Sequence, residues 1–300
     1  MAKPDLIAID WGTTRLRAWL VDEDGVIVDT NAADDGIMHV PPGGFPETLR
    51  RHVGAWIDAH PAAPVVMAGM VGSRNGWVEA PYVSCPTDLA GLATALARVD
   101  IGEGRTAAIV PGLSYRDPSG SPDVIRGEET KLAGCGLSDG TVVMPGTHCK
   151  WARLEGGRIA GFTTFMTGEI FGALKDHTIL GRLAEEPADD AGFARGLAAA
   201  RRPGGLTHQL FSTRSSVLLG DMSGREVVPF LSGLLIGTEV DNGLALCAPG
   251  SELVVVAEGL YAAAYAAALS DRGCAHTILA PDAVFVAGLR AIAAAGARRA

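Results

Sequence analysis

The sequence predicts an α/β protein of two domains built on one plan, and three observations predict it. Its 300 residues, 48% of them apolar, suffice for two cores of ordinary size. Aromatic residues are sparse and alanine is abundant, which suits closely packed layers of helix and sheet. One arrangement also occurs twice: a buried strand, a turn carrying Gly-Thr, a second strand, a Gly or Asp-Gly turn and a third strand. The first copy runs from Leu6 to Asp29 and the second from Thr141 to Thr163. The two copies place one domain over 1–136 and the other over 137–300.

Leu6, Ile7, Ala8 and Ile9 are a short apolar run, the mark of a buried strand, and the run ends in Asp10. Gly12 frees the backbone for a tight turn, and Thr13 and Thr14 add hydroxyls beside its N–H groups. A turn of this kind presents donors to an anion such as phosphate, and the leading Asp10 can hold Mg²⁺ through water. Arg15 to Val21 and Val26 to Val28 complete the first copy. Arg15 and Arg17 share a strand face, where alternation predicts ordinary solvation. After a loop over 34–44, Phe45, Leu49, Val53, Trp56 and Ile57 recur at helical spacing, with Pro61 beyond the end. Val65 to Val71 reads as a buried strand, followed by a Gly-bracketed polar loop over 72–77. Leu89 to Arg98 reads as a short helix capped by Thr87 or Asp88. Thr106 to Val110 reads as a strand, and Asp117 to Asp123, rich in Pro, Gly, Ser and Asp, as an exposed excursion.

Glu128 and Glu129 fall in the first turn of a helix, where the dipole favours acids. Thr141 to Met144 is the strand of the second copy, and Gly146-Thr147 its turn. Thr167-Gly168-Glu169 opens a helix to about Leu180, with Thr167 as cap. Further helices are predicted over 189–201 and 206–213, and a long one within 225–247 with Leu231, Leu234, Leu235 and Val240 on its apolar side. Leu253 to Ala257 is a buried strand breaking at Glu258-Gly259 into an alanine-rich helix, an arrangement that commonly seats a nucleotide. A last strand, His276 to Leu279, precedes a final helix from Asp282.

Composition excludes several classes. A net charge of −9 with interspersed signs argues against nucleic-acid binding. No apolar stretch is long enough for a membrane span, and the first residues lack a signal peptide's apolar segment. Five scattered cysteines without Cys-x-x-Cys fit reduced thiols and a cytoplasmic location. His148 and Cys149 are adjacent and would face opposite sides of a strand, which makes a poor metal pair. There is no Gly-x-x-x-x-Gly-Lys-Ser/Thr loop and no Gly-x-Ser-x-Gly elbow.

With these pieces in place, the chain resembles the actin/hexokinase/Hsp70 ATPase superfamily, and within it the 2-dehydro-3-deoxygalactonokinase family. The resemblance is carried by Ile9 to Thr14, Val66 to Ser73 with Gly76-Trp77 and Ala80-Pro81-Tyr82, Ile109 to Leu113, Arg126 to Thr130, Val143 to Trp151, Met166 to Glu169 and Phe230 to Gly237. It implies two ribonuclease H-like domains with an ATP cleft between them. It also implies transfer of phosphate from ATP to 2-dehydro-3-deoxy-D-galactonate, giving the 6-phosphate in galactonate breakdown. ATP and Mg²⁺ are the implied cofactors, the sugar acid is the other partner, and a homodimer is compatible with the sequence.

On this resemblance Gly12, Thr13 and Thr14 hold one phosphate, and Gly146, Thr147 and His148 another, with Asp10 toward Mg²⁺. Lys150 adds charge there or points to solvent. Superfamily members carry an acid at a helix start shortly before the second phosphate turn. That makes Glu129 the first candidate for the base, since Gly136 stands at the spacing where relatives have glycine; Glu128 comes next, then Glu169. A sugar acid also needs a cation and hydrogen-bond partners. Arg74 and Arg126 are candidates for the cation, and Ser73, Asn75 and Tyr82 for hydroxyl contacts. Trp77 either stacks on the sugar or anchors its loop. Ala257-Glu258-Gly259 puts an acid where the family usually has a small residue. The alternatives are a phosphohydrolase of the same superfamily acting on polyphosphate-like substrates and a non-catalytic sugar or nucleotide sensor.

Overall fold

The computed structural model describes residues 3–298. Its contacts divide the chain into two compact units. One runs from the N-terminus through Ser138 and also takes in Leu154–Gly161 and the segment from Pro281 on; the other comprises Asp139–Arg153 and Phe162–Ala280.

In the first unit the three strands of the opening motif are β1 (Pro4–Trp11), β2 (Leu16–Asp22) and β3 (Ile27–Ala33). They pair antiparallel. Helix α1 (Phe45–Ala59) follows, and then β4 (Val65–Ala68), which lies parallel to β1. The short strand β5 (Tyr82–Ser84) and the short helix α2 (Leu89–Thr94) come next. Strands β6 (Ala97–Gly102) and β7 (Arg105–Ile109) complete a sheet of order β3-β2-β1-β4-β7-β6. β8 (Gly112–Arg116) and β9 (Pro122–Ile125) form a second, three-stranded sheet with β5. Helix α3 (Glu128–Gly134) follows. Ile7, Ile9, Trp11, Leu49, Val53, Met67 and Ile109 form the buried centre, so β1 carries Asp10 straight out of the core.

The second unit holds β10 (Gly140–Met144), the start of β11 (Cys149–Glu155) and the end of β12 (Arg158–Phe165), whose connecting stretch 154–161 belongs to the first unit. Helices α4 (Thr167–His177), α5 (Ala191–Ala200), α6 (Gly205–Leu218) and α7 (Val227–Leu244) come next. They are followed by β13 (Leu253–Val256), α8 (Gly259–Asp271) and β14 (Thr277–Leu279). The sheet order is β12-β11-β10-β13-β14, with β10, β13 and β14 parallel. This repeats the order of the first sheet strand for strand, with β6 as the added edge there. The duplication read from two turns is therefore a duplication of sheet topology. Leu231, Leu234, Leu235 and Val240 of α7 are all buried, as their spacing predicts.

Several expectations are corrected. Residues 97 and 98 do not continue α2. They begin β6, in which Val99 and Ile101 alternate inward, and Asp88 caps α2 by accepting from Gly91 N–H. The excursion over 117–123 is exposed as expected; 117–121 form the turn of the β8–β9 hairpin, held by Asp117 accepting from Ser119 and Ser121, and 122–123 already belong to β9. Thr167 is the first residue of α4 and not its cap; Met166 stands at the cap. The last helix, α9 (Pro281–Ala297), packs on α2 and α3 of the first unit. The reason is steric. Gly134 of α3 and Gly288 of α9 meet with no room for a side chain, and Phe285 lies against Trp19.

Candidate active site

The first phosphate turn is fixed from behind. The carbonyls of Gly12, Thr13 and Thr14 accept from the backbone N–H groups of Ile37, Met38 and Gly36 at 3.0–3.1 Å. With those oxygens engaged, Thr13 and Thr14 remain exposed. Asp10 lies opposite Arg17 in the β1–β2 register, and Arg17 donates to Asp10 Oδ2 at 2.6 Å and to Asp282 of α9 at 2.5 Å. Arg17 was read as ordinary solvation. It is the clamp on the carboxylate of the motif, and its second partner is too far along the chain for strand alternation to reveal.

Glu129 is fully buried in α3. Its Oε2 accepts from Gly127 N–H at 2.7 Å and its Oε1 from the Thr130 hydroxyl at 3.2 Å. Burial first, and the neighbouring Glu128 charge second, push its pKa up to about 8. Glu128 is half-buried and turns back to accept from Arg126 N–H. The adjacent acids thus take different roles, one enclosed and one bracing the loop.

Two glycines join Glu129 to Asp10. Gly127 has φ +102°, and a Cβ on it would stand 3.3 Å from the Cα of Gly69. Gly69 has φ +96°, and a Cβ there would stand 3.1 Å from Asp10 Oδ1. Both backbones adopt a conformation that favours glycine, and their bareness lets the heads of β4 and α3 close on Asp10. Neither glycine was singled out from the sequence as a site residue, although both lie in quoted motifs.

After Gly69 the loop is folded on itself by Trp77 N–H to Val71 O and Ala80 N–H to Gly72 O, each 2.9 Å. Arg74, Asn75, Gly76 and Trp77 line a cavity of about 450 Å³, with Ile37 and Phe45 on its other walls. Arg74 is exposed, with no hydrogen bond or ion pair among the described residues. Trp77 stacks on Phe45 at 5.9 Å and meets Trp11 edge-on at 6.3 Å, so it anchors the loop and walls the cavity together. Tyr82 lies over the Arg126 guanidinium, 4.4 Å from Cζ to ring centre. Arg126 Nη2 donates to Ala80 O at 2.9 Å, whereas its Nε and Nη1, and Ser73 Oγ, are buried without partners.

In the second unit, α4 starts directly on the second turn. Glu169 N–H donates to Thr147 O at 3.0 Å, and a Cβ on Gly168 would stand 2.5 Å from Gly146 O. Thr147 and His148 are exposed, and His148 Nε2 bonds Glu169. Glu169 thus braces the turn through His148. Lys150 does not point to solvent. It is buried, and its Nζ donates to His148 O at 2.8 Å. Behind the turn, Trp151 Nε1 and Tyr265 OH both donate to the buried Glu239, at 2.8 and 2.9 Å. On the nucleotide-like strand–turn–helix, Glu258 and Leu260 are exposed beside Gly259, which has φ +57°.

Among the described residues no group of three or more His, Cys, Asp or Glu side chains could hold a metal by itself. Asp10 nevertheless fits Mg²⁺ carried by a nucleotide. One oxygen is held by Arg17, the other faces bare Gly69, and a phosphate-borne Mg²⁺ needs only one or two carboxylates. Among the described residues no helix is long and apolar enough to cross a membrane.

The family model described as 2-keto-3-deoxy-galactonokinase matches residues 10–292. The chain is 38% identical to 2-dehydro-3-deoxygalactonokinase of Escherichia coli (strain K12), over 96% of this chain and 97% of the relative. It is 37% identical to a relative in Rhizobium meliloti (strain 1021) named a probable 2-dehydro-3-deoxygalactonokinase, with 96% of each chain covered. A crystal structure of a Sinorhizobium meliloti protein assigned that activity superposes with TM-score 0.87 at 36% identity, covering 96% of this chain and 98% of that one. Component A of (R)-2-hydroxyglutaryl-CoA dehydratase from Acidaminococcus fermentans shares the fold, with TM-score 0.52 at 13% identity over 97% and 98% of the two chains.

Proposed function

The chain belongs to the 2-keto-3-deoxy-galactonokinase family, and we propose that it transfers the γ-phosphate of ATP to the 6-hydroxyl of 2-dehydro-3-deoxy-D-galactonate. The observation that carries this reading into the site is the succession Asp10, Gly69, Gly127, Glu129. It brings an enclosed acid of raised pKa to the carboxylate of the first phosphate turn.

Phosphoryl transfer asks the protein for positioning and charge neutralisation more than for covalent participation. Gly12, Thr13 and Thr14 supply donors to one phosphate, and Gly146, Thr147 and His148 to another. Asp10, held by Arg17, would hold Mg²⁺, which would supply charge neutralisation on the phosphates. Glu129 takes the proton of the hydroxyl whose oxygen attacks the γ-phosphorus, as the bond to the ADP oxygen breaks. A pKa near 8 suits that role, because a base works best with a pKa close to the working pH. The cavity beside Arg74, Asn75 and Trp77 receives the polyol chain, with apolar walls to one side and a cation at the rim. Five unpaired cysteines support a cytoplasmic enzyme.

The test is ADP release with Mg-ATP, comparing 2-dehydro-3-deoxy-D-galactonate, its gluconate epimer and no sugar. ADP formed with the galactonate acid alone is the expected result. Equal use of both acids would leave the kinase and reject the narrow substrate. ADP without any acid would favour hydrolysis, and none under any condition a sensor.

A further inference from the structure

Arg126 carries one half of an ion pair whose other half is not found among the described residues. Its Nη2 donates to Ala80 O at 2.9 Å, and its Nε and Nη1 are buried without a partner. On the neighbouring loop after β4, next to Gly72, Ser73 Oγ is equally buried and has no partner among the described residues. Nearly all buried polar groups in proteins find partners, so three orphans on neighbouring residues mark a place for something the chain lacks. The group is also assembled by its surroundings. A Cβ on Gly72 would stand 3.1 Å from Nη1, so the bare backbone lets the guanidinium approach closely. Tyr82 covers one face at 4.4 Å and is itself 45% exposed, a cover on the solvent side of the cation. Glu128, the carboxylate nearest in sequence, accepts from the backbone N–H of Arg126 and leaves the guanidinium alone.

A guanidinium presents two edges that can hold both oxygens of a carboxylate, Nε with Nη2 and Nη1 with Nη2. Whichever Nη2 hydrogen goes to Ala80, one complete edge stays free. We infer that this free edge of Arg126, with the Ser73 hydroxyl, is the receptor for the carboxylate of the sugar acid, Tyr82 being the cover that moves to admit it. The inference rests on the kinase reading and decides between its two cations: Arg74, at the open rim of the cavity, attracts the acid, and Arg126 identifies it. The chain distance agrees. Three residues separate Arg126 from Glu129, at most about 10 Å of extended backbone, so one short molecule can meet the cation at one end and the base at the other. Neutral sugars would leave the buried edge unpaired, which makes the site selective for acids.

The experiment compares 2-dehydro-3-deoxy-D-galactonate with its carboxamide, which keeps the hydroxyls and loses the charge. A site built to bind one polar group discriminates by about 10²-fold or more in kcat/KM, and that preference is expected of the natural chain. Arg126→Met should collapse the ratio to near one, through KM for the acid. Arg74→Met should lower both rates and preserve the ratio. Ser73→Ala, a smaller change that guards against misfolding of the arginine variant, should reduce the ratio about tenfold, the worth of a single hydrogen bond to a charged group. A full ratio in Arg126→Met or in Ser73→Ala overturns the inference, as does collapse of the ratio in Arg74→Met. If the natural chain turns over neither compound, the kinase reading falls. Binding of the acid to nucleotide-free protein, followed by Trp77 fluorescence, then still decides: loss in Arg126→Met upholds the receptor, and retention means that the edge holds water only.

Discussion

Glu129 makes activity and stability move in opposite directions with pH. Its pKa is pushed up from 4.5 to about 8, chiefly by burial and then by the Glu128 charge. Between those values the folded protein keeps a proton that the unfolded chain has released. Stability contributed by this group is therefore full below 4.5 and is lost as the pH rises toward 8. The base form appears over the upper part of the same window, so kcat/KM should climb toward pH 8 while the melting temperature falls. Glu129→Gln cannot titrate. It should flatten the melting curve against pH between 5 and 8, abolish phosphoryl transfer and leave ATP binding intact. A Gln variant that keeps the natural slope, or natural turnover, would remove Glu129 from the role. The pair Glu128-Glu129 was legible because adjacent acids at a helix start must point apart. Which of them is enclosed does not follow from that angle, since enclosure depends on elements far away in sequence, such as the α9 that packs on α3. Arg17 was misread for a related reason. Alternation fixes the face of a strand and is silent about an acid delivered by the last helix.

At the scale of elements, the recurring device is a glycine that lets one backbone touch another. In α3 and α9 it sets the base. A Cβ on Gly288 would collide with Thr130 O, and one on Gly134 with Val284 O and Gly288 N. Thr130 is the residue after Glu129, so a wedge at 288 tilts the turn that carries the base. Overpacking of this kind costs about 1–3 kcal/mol. Gly288→Ala should lower the melting temperature accordingly and reduce kcat more than the KM for ATP, as steady-state kinetics would register. Gly172→Ala is the control. Gly172 lies in α4 with nothing within 4 Å of the added carbon, so helix propensity makes the change neutral or stabilising by up to about 1 kcal/mol. Losses of equal size at the two positions would mean that α3–α9 contact does not matter. Long or strongly patterned elements such as β1, α1 and α7 were legible from the chain alone. The β6 and β8 strands were not, because each is short, partly exposed and bordered or ended by Gly or Asp, the composition of a loop.

For the whole molecule, two matching sheets suggest a chain cut cleanly in half, yet the first unit is closed by the last helix. A sequence repeat reports where a pattern restarts; it does not report which core a following helix completes, because an amphipathic stripe fits any apolar surface of the right size. In α9 the stripe includes Phe285, Leu289 and Ile292, all buried, with Phe285 against Trp19 at 5.6 Å. Each fully buried side chain of this kind contributes about 1.5–3 kcal/mol, so the three together approach the net stability of about 5–15 kcal/mol typical of a domain. Removing α9 also removes Asp282 from Arg17 and takes away the helix on which α2 and α3 pack. A chain ending at Ala280 should therefore lose the first unit as a cooperative structure while the second keeps its own. Near-ultraviolet circular dichroism and tryptophan fluorescence would show one melting transition gone and one retained. Residues 3–138 alone should behave as unfolded, and joining 281–298 to them through a flexible linker should recover at least part of the transition. Residues 154–161 would still be missing, and with them the Thr87–Ile159 bridge, so recovery should be incomplete. Independent folding of 3–138 would show that α9 only decorates a finished core, and the sterically closed meeting of Gly134 and Gly288 would then need another explanation.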